Sequence, residues 1–113
     1  MDKLNRYRTL IKQFLEVKAE LANRCVRDGS ETVCAFDEKR DQYLLMNVGW
    51  AGERRVRGTN LFLRIVDDKI WIEDDWTEEG IATELVANGV AKEDIVLAFQ
   101  PPSLRRFGDF AVA

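Results

Sequence analysis

The sequence predicts an α+β fold: an N-terminal helix, an antiparallel β-meander of about four to five strands, a second helix and a short C-terminal helical turn. Apolar side chains in residues 2–22 recur at the spacing of an amphipathic helix. Short polar turns then separate several runs of β-prone residues. The chain has 113 residues, the size of one domain, so residues 1–113 are expected to form a single domain.

The first helix is predicted over residues 2–22, with Asp2 as its N-cap. The positions that fall mostly at this spacing are Leu4, Tyr7, Leu10, Ile11, Phe14, Leu15, Lys18 and Leu21. The sequence Asp28-Gly29-Ser30 predicts a turn after the helix, because these residue types favour turn conformations.

Strands are predicted over residues 32–36, 43–50, 54–66 and 69–73. The connections Ala51-Gly52-Glu53 and Asp67-Asp68 are too short for crossovers, so neighbouring strands are expected to be antiparallel. Thr77 is predicted to cap the second helix, and Asn88-Gly89 is predicted to end it. The last predicted elements are a helical turn at residues 92–94, a fifth strand at 95–99, a further turn at 103–106 and a docked C-terminus at 110–113.

Strict alternation along the strands puts apolar side chains on both faces of the sheet. The residues of the second strand that share one face are Leu44, Met46, Val48 and Trp50. On the third strand, Arg55 and Arg57 are expected on the same face as Leu61 and Leu63. Two helices cover only one face of a small sheet. The other apolar face is therefore expected to meet either the C-terminal segment or another chain, as in a homodimer or a dedicated complex.

Charge and composition exclude several classes of function. The chain has no histidine, so it can form no Ser-His-Asp arrangement and no imidazole metal site. Its 17 basic and 20 acidic residues give a formal charge of −3, which disfavours attraction of the whole surface to nucleic acid. The chain has no apolar run of membrane-spanning length and no signal-peptide pattern, so we expect a cytoplasmic protein without membrane contact. Cys25 and Cys34 are expected to be free thiols in that compartment.

Two groups of side chains are candidates for binding. The candidate partner-binding residues are Trp50, Trp71, Trp76, Thr77 and Glu78. Tryptophan is enriched at interfaces but is equally common in cores, so both interpretations stay open. The candidate nucleic-acid-binding residues are Arg54, Arg55 and Arg57. A solvated face, or ion pairs with the excess acids, explains these arginines more simply.

Carboxylates form a third candidate group. Asp67, Asp68, Glu73 and Asp74 have the chemistry to bind Mg²⁺ in a metal-dependent nuclease. A hairpin turn followed by a helix start also favours acidic residues, and no acid-x-Lys pattern falls on a predicted strand. The structural interpretation is therefore stronger. The sequence predicts no catalytic residue, metal or cofactor, and a protein that is not an enzyme.

The run YLLMNVGW at residues 43–50, with GERRV at 52–56, resembles the XisI family, the fdxN-element excision controlling factors found mainly in cyanobacteria. The resemblance covers nearly the whole chain, from Tyr7-Arg8 and Ile11 in the first helix to the terminal FAVA. It includes the runs KIWI at 69–72, TEEGIA at 77–82, ELV at 84–86, GV at 89–90 and KEDIVLAF at 92–99.

The resemblance implies a small α+β accessory factor that helps to control excision of a DNA element during heterocyst development. The implied companion is a XisH-like protein with an endonuclease-type fold, and the wider partner is a site-specific recombinase complex. No catalytic residue is carried over. Two positions depart from the family: Trp76 stands where members often have glycine, and Gln100 where they often have histidine, so a site that used this histidine would be altered here.

Overall fold

Helix α1 spans Lys3–Cys25 and packs on one face of a five-stranded sheet. The computed structural model describes residues 2–25 and 28–113. The strands are β1 (Gly29–Asp37), β2 (Gln42–Ala51), β3 (Arg54–Val66), β4 (Lys69–Asp75) and β5 (Ile95–Leu97). The remaining helical elements are α2 (Ile81–Ala87), a single 3-10 turn (Lys92–Asp94) and α3 (Pro102–Arg105). The predicted α+β fold is therefore confirmed.

The strands lie in sequence order, and β1 to β4 form the predicted antiparallel meander. Strand β5 differs from the prediction because it runs parallel to β4 and ends at Leu97. Between these two strands the chain passes through α2, and such a crossover brings it back in the same direction. Beyond β5, Ala111 forms a parallel bridge with Val96, so the C-terminal segment is docked as predicted.

The hydrophobic core lies between the helices and one face of the sheet. Helix α1 contributes Tyr7, Ile11 and Leu15, and α2 contributes Ile81 and Leu85. The buried residues of β2, β3 and β4 are Tyr43, Leu45, Leu61, Leu63, Ile65, Ile70 and Ile72. They alternate with half-buried residues along each strand, so the helices cover one face and leave the second face to other contacts.

A β-bulge interrupts the pairing of β2 with β3. Leu45 pairs with Leu61, but the next residue, Met46, pairs with Thr59. Asn60 is therefore an extra residue in β3, and the alternation of this strand reverses at that point.

The reversal moves two arginines to the face away from the core. Arg55 pairs with Trp50, and Arg57 pairs with Val48, both of which lie on that face. The prediction that these arginines share a face with the buried leucines of β3 is therefore wrong. Counting alternate residues in a sequence does not reveal an inserted residue, so strict alternation predicts the opposite side for every β3 position before Asn60.

Ion pairs and hydrogen bonds attach α1 to the β1–β2 turn and to the 3-10 turn. Arg8 donates two hydrogen bonds to the Asp41 carboxylate, at 2.7 and 3.0 Å, and the Tyr43 hydroxyl donates a third at 2.9 Å. Arg8, and to a smaller extent Tyr43, holds the pKa of the Asp41 carboxyl below its usual range. On the other side of α1, the Tyr7 hydroxyl donates to Asp94 at 2.6 Å.

Side chains block part of the free edge of β1. The Thr32 N–H donates to the Asn23 carboxamide oxygen at 2.8 Å, and the Asn23 amide donates to the Thr32 carbonyl at 2.9 Å. The Ser30 N–H donates to the Asp28 carboxylate at 2.8 Å. These bonds occupy backbone groups that another strand would need, so this part of the edge is a poor site for strand addition.

Replacing Gly49 with alanine should destabilise the protein strongly. Gly49 has a φ of 133°, and a Cβ there would lie 2.6 Å from the Ser30 Cα and overlap the Gly29 carbonyl oxygen. We expect Gly49→Ala to lower the free energy of unfolding by roughly 2–4 kcal/mol in urea titration, from backbone strain and overpacking. The matched control is Gly58→Ala, because a Cβ at Gly58 meets nothing within 4 Å. Equal effects of the two substitutions would contradict this account.

The Arg8–Asp41 pair should contribute stability that depends on pH. The pKa of Asp41 is lower in the folded protein than in the unfolded chain, so the contribution is complete above the unfolded value of about 4 and is lost as the pH falls through the folded value. We expect Arg8→Gln to lower the free energy of unfolding by about 1–2 kcal/mol at pH 7, with the difference shrinking below about pH 4.

Urea unfolding of both proteins between pH 3 and 7 measures this difference. The control is Arg40→Gln, because Arg40 pairs with Asp37 on an exposed turn, where solvent screens the interaction. A constant difference between wild type and Arg8→Gln across the whole pH range would show that Arg8 stabilises the fold through packing alone.

Candidate functional site

The sheet face turned away from the helices is a candidate interaction surface, here called the open face. Its apolar residues on β1 to β3 are Val33, Ala35, Leu44, Met46, Val48, Trp50 and Phe62. Leu44, Met46, Val48 and Phe62 are half-buried, whereas their neighbours in the core are fully or almost fully buried. The open face is therefore an apolar surface of β1 to β3 that remains accessible to solvent.

The C-terminal segment covers only the β4–β5 end of this side of the sheet. Val96 is fully buried there, and the Arg105 guanidinium lies 5.5 Å from the centre of the Trp71 ring. Arg105 also donates hydrogen bonds to the carbonyls of Ala98, Gln100 and Val112, at 3.1 to 3.3 Å. The second face of the sheet is expected from the sequence to meet either the C-terminal segment or another chain. The C-terminal segment covers β4 and β5 on this side and leaves the open face uncovered.

A second candidate surface surrounds Trp76, on the helix side of the sheet. The Trp76 side chain is 77% exposed. Leu21 of α1 lies beside it, and Val17 lies one helical turn before Leu21; both side chains are slightly more than half exposed. Trp76, Val17 and Leu21 together are called the Trp76 patch. A shallow cavity of about 290 Å³ lies between Trp76 and α1, and its lining includes Leu21, Lys18 and Thr77.

Backbone and carboxylate contacts fix the turn that carries Trp76. The Trp76 N–H donates to the Asn60 carbonyl at 2.9 Å. The Asp75 carboxylate accepts hydrogen bonds from the N–H and hydroxyl of Thr77, at 2.9 and 2.5 Å, and from the Ile81 N–H at 2.7 Å. Helix α2 begins at Ile81, so the prediction of Thr77 as its cap is wrong. Asp75, six residues earlier, supplies the carboxylate for the first turn.

A row of polar side chains crosses the sheet beneath this turn. The Thr32 hydroxyl donates to the Asn47 carboxamide oxygen at 2.9 Å, and the Asn47 amide donates to the Asn60 carboxamide oxygen at 3.0 Å. Asn23 completes the row through its two bonds with the Thr32 backbone. Asn60 and Thr32 also line the cavity beside Trp76, so this part of the sheet presents polar atoms to the cavity floor.

A groove of about 540 Å³ continues from the Trp76 patch between α1 and α2. The apolar residues of α1 that line it are Leu10, Phe14, Val17 and Leu21. Glu84 of α2 forms an ion pair with Lys18 at 3.1 Å across the groove. The predicted helical stripe includes Lys18 but misses Val17. The available signal was the 4-3-4 spacing of Leu10, Phe14, Val17 and Leu21, which marks a second apolar stripe beside the core stripe.

The predicted partner-binding residues are not brought together. Trp50 and Trp71 lie on the side away from the helices, whereas Trp76, Thr77 and Glu78 follow β4 on the helix side. Trp50 is about half exposed, with the Arg55 guanidinium 5.3 Å from its ring centre. Trp71 is half-buried and donates its indole N–H to the Val66 carbonyl at 3.2 Å, so it belongs to the packing of the C-terminal segment.

The predicted arginine group is also divided. Arg55 and Arg57 lie on the open face, and Arg54, at the start of β3, alternates to the other side. Gln100, where the resemblance implies a histidine in relatives, lies in the turn after β5, and its N–H donates to the Leu97 carbonyl at 3.1 Å. It is half-buried.

The carboxylates considered for a nuclease site are separated. Asp67 and Asp68 form the exposed β3–β4 turn, with φ values of 51° and 65°. Glu73 is bound to Arg64 at 2.7 Å, and Asp74 pairs with Phe62. In residues 2–25 and 28–113, no three histidine, cysteine or carboxylate side chains are grouped so that they could hold a metal ion.

Cys25 and Cys34 are free thiols, as predicted. Burial raises the pKa of the Cys34 thiol, which donates a hydrogen bond to the Leu15 carbonyl at 3.3 Å. Among the helices of the described chain, none has both the length and the apolar character needed to cross a membrane.

Comparisons by sequence family and by structure both identify XisI proteins as similar to this chain. A family model described as XisI protein matches residues 1–112. The structure is similar to that of a XisI-like protein from Anabaena variabilis, with a TM-score of 0.91 and 37% identity over 98% of this chain and 100% of that one. It is also similar to the fdxN element excision controlling factor XisI of the same organism, with a TM-score of 0.85 and 39% identity over 99% and 100%. No curated protein matches the chain.

Removing the Asp75 carboxylate should loosen the turn that carries Trp76. We expect Asp75→Ala to lower the free energy of unfolding by roughly 1–3 kcal/mol, because the N–H groups of Thr77 and Ile81 lose their acceptor. Amide hydrogen exchange at Ile81 should accelerate more than exchange in β2. The matched control is Asp74→Ala, one residue earlier and on the other side of the sheet. If both variants behaved alike, Asp75 would not organise this turn.

Proposed function

The chain belongs to the XisI family, and on this basis we propose that it is a non-enzymatic accessory factor that controls excision of a DNA element by binding a XisH-like companion protein. A similar protein from Anabaena variabilis is described as an fdxN element excision controlling factor. The side chains fit a binding role. In the described part of the chain no three carboxylates are grouped so that they could hold a metal ion, and the sequence has no histidine for acid–base catalysis.

The observation that carries the companion-binding part of the proposal is the exposure of Trp76. A tryptophan that is 77% exposed on a turn fixed by four hydrogen bonds loses little backbone freedom when a partner covers it. Central tryptophans of interfaces commonly contribute 2 kcal/mol or more to binding. Val17 and Leu21 extend the apolar area of the Trp76 patch along α1.

Charges beside the Trp76 patch indicate the character of the companion surface. Glu78 and Glu79 are exposed in the turn after Trp76, and Glu84 lies next to them at the start of the groove. Lys18 neutralises only Glu84. The fitting partner surface therefore has an apolar pocket for the indole and basic side chains at its rim, an arrangement that favours correct orientation during encounter.

Direct DNA binding through Arg54, Arg55 and Arg57 is the less favoured alternative. Arg54 lies on the other side of the sheet from Arg55 and Arg57, and the formal charge of the chain is −3. Phosphate contacts that depended on these arginines would weaken steeply with added salt. We place the DNA contact of the complex on the companion or the recombinase instead.

Replacing Trp76 with alanine should weaken the complex with a XisH-like protein by at least tenfold, because the variant removes the most exposed large apolar side chain of the patch. Co-purification from a common expression strain, followed by calorimetry, measures the change. The matched control is Phe107→Ala, since Phe107 is 72% exposed and lies near α3. A complex of unchanged strength with Trp76→Ala would refute the assignment of the patch. Loss of the complex with Trp50→Ala instead would place the companion on the open face.

The function itself is tested separately from the binding surface. In an Anabaena strain lacking its own XisI protein, expression of this chain should restore excision of the element, measured by amplification of the excised junction. Restoration by wild type but not by Trp76→Ala supports both parts of the proposal. Absence of restoration, despite a stable complex with the XisH-like protein, would contradict the role in excision control.

A further inference from the structure

The open face has an ordered distribution of charge from strand to strand. Its β1 row carries Glu31, its β2 row is apolar from Leu44 to Trp50, and its β3 row carries Arg55 and Arg57. Glu31 and Arg57 flank Val48 on opposite sides, since each pairs with it. In residues 2–25 and 28–113, neither Glu31 nor Arg57 has an ion-pair partner, although both are exposed.

From this pattern we infer that the open face binds a second copy of this chain, face to face, about a two-fold axis that runs along β2. Such an axis lays β1 of one copy over β3 of the other and β2 over β2. Glu31 of each copy then faces Arg57 of the other, so two ion pairs form symmetrically. An isologous interface needs this property, because each surface must complement itself.

The sizes of the side chains follow the same symmetry. Ala35 and Phe62 flank Leu44 on the two sides of β2. The two-fold axis brings the small Ala35 of one copy opposite the large Phe62 of the other. A second aromatic ring in place of Ala35 would collide with Phe62. Met46 lies on β2 near the middle of the face and meets its own symmetry mate, as an unbranched and adaptable side chain can do.

The area of the open face suits a second copy. Three strands about 4.8 Å apart and about nine residues long give a footprint of roughly 14 by 30 Å. Side chains add to this flat area, and specific interfaces remove roughly 600–1,000 Å² from each partner. The C-terminal segment packed at Trp71 and Val96 limits the face beyond β3, so the partner is centred on β2.

Two other modes of association fit the residues less well. Pairing along the edge of β1 is hindered, because Asn23 and Asp28 occupy backbone groups of Thr32 and Ser30. Nucleic acid would need a face of one sign, whereas Glu31 and the arginines give charges of both signs. The inference does not rest on the Trp76 patch, which lies on the opposite side of the sheet.

Charge reversal tests the two-fold arrangement. Sedimentation velocity should find the wild type at twice the monomer mass. Glu31→Arg and Arg57→Glu should each weaken the dimer by about tenfold, because each homodimer then contains two like-charge contacts. An equimolar mixture of the two variants should dimerise nearly as well as wild type, since both contacts in the mixed dimer join opposite charges. Glu93→Arg is the matched control, since Glu93 is exposed in the 3-10 turn on the helix side.

The mixture separates an interface from effects within one chain. Mixing the two variants would not restore an attraction between Glu31 and Arg57 of the same chain. If the mixture dimerises no more tightly than each variant alone, the inference is overturned. A wild type that remains monomeric at all concentrations overturns it as well. Binding of single-stranded DNA by such a monomer, lost in Arg57→Glu, would identify the open face as a nucleic-acid surface instead. Trp76→Ala should leave the dimer intact, so failure of either proposal is recognised independently.

Discussion

The β-bulge at Asn60 is the constraint on which both candidate surfaces depend. It keeps Leu61 and Leu63 on the core side of β3 and turns Arg55 and Arg57 away from it. Regular alternation would instead place Arg55 and Arg57 on the helix side of β3, where Arg54 and Gly58 are exposed, and would remove both charges from the open face. The extra residue therefore decides that the charged half of β3 contributes Arg55 and Arg57 to the open face while Leu61 and Leu63 stay in the core.

Asn60 also connects the bulge to the Trp76 patch. Its carbonyl accepts the Trp76 N–H, and its side-chain amide continues the polar row from Asn47 and Thr32. A bulge leaves backbone groups outside the regular ladder, and here the turn after β4 uses one of them. The same inserted residue thus determines which charges reach the open face and holds the position of the exposed indole on the other side.

The sequence allowed the elements to be predicted where periodicity was strong. The helix at residues 2–22, the four meander strands and the docked C-terminus follow from spacing and turn residues, and the structure has all of them. Three features lay outside local patterns. The bulge leaves no mark in alternation, the parallel direction of β5 depends on the path of α2, and the Asp75 carboxylate acts on Ile81 six residues away. The division of the tryptophans between two sides follows from tertiary structure as well, because Trp76 lies beyond the end of β4, where strand alternation no longer applies.

Placing the two surfaces on opposite sides of one sheet has a consequence for assembly. In the dimer we infer, the open faces are covered and both Trp76 patches stay outward, so the two companion-binding sites we propose lie on one particle. Two linked sites raise the effective concentration of the second binding event without any new contact. Under the proposed role of Trp76, its apolar area also discriminates between companions, because a surface without a matching pocket leaves the indole in water, whereas one with a pocket buries it. The two proposals thus place avidity and selectivity on separate surfaces, and a substitution in one surface leaves the chemistry of the other unchanged.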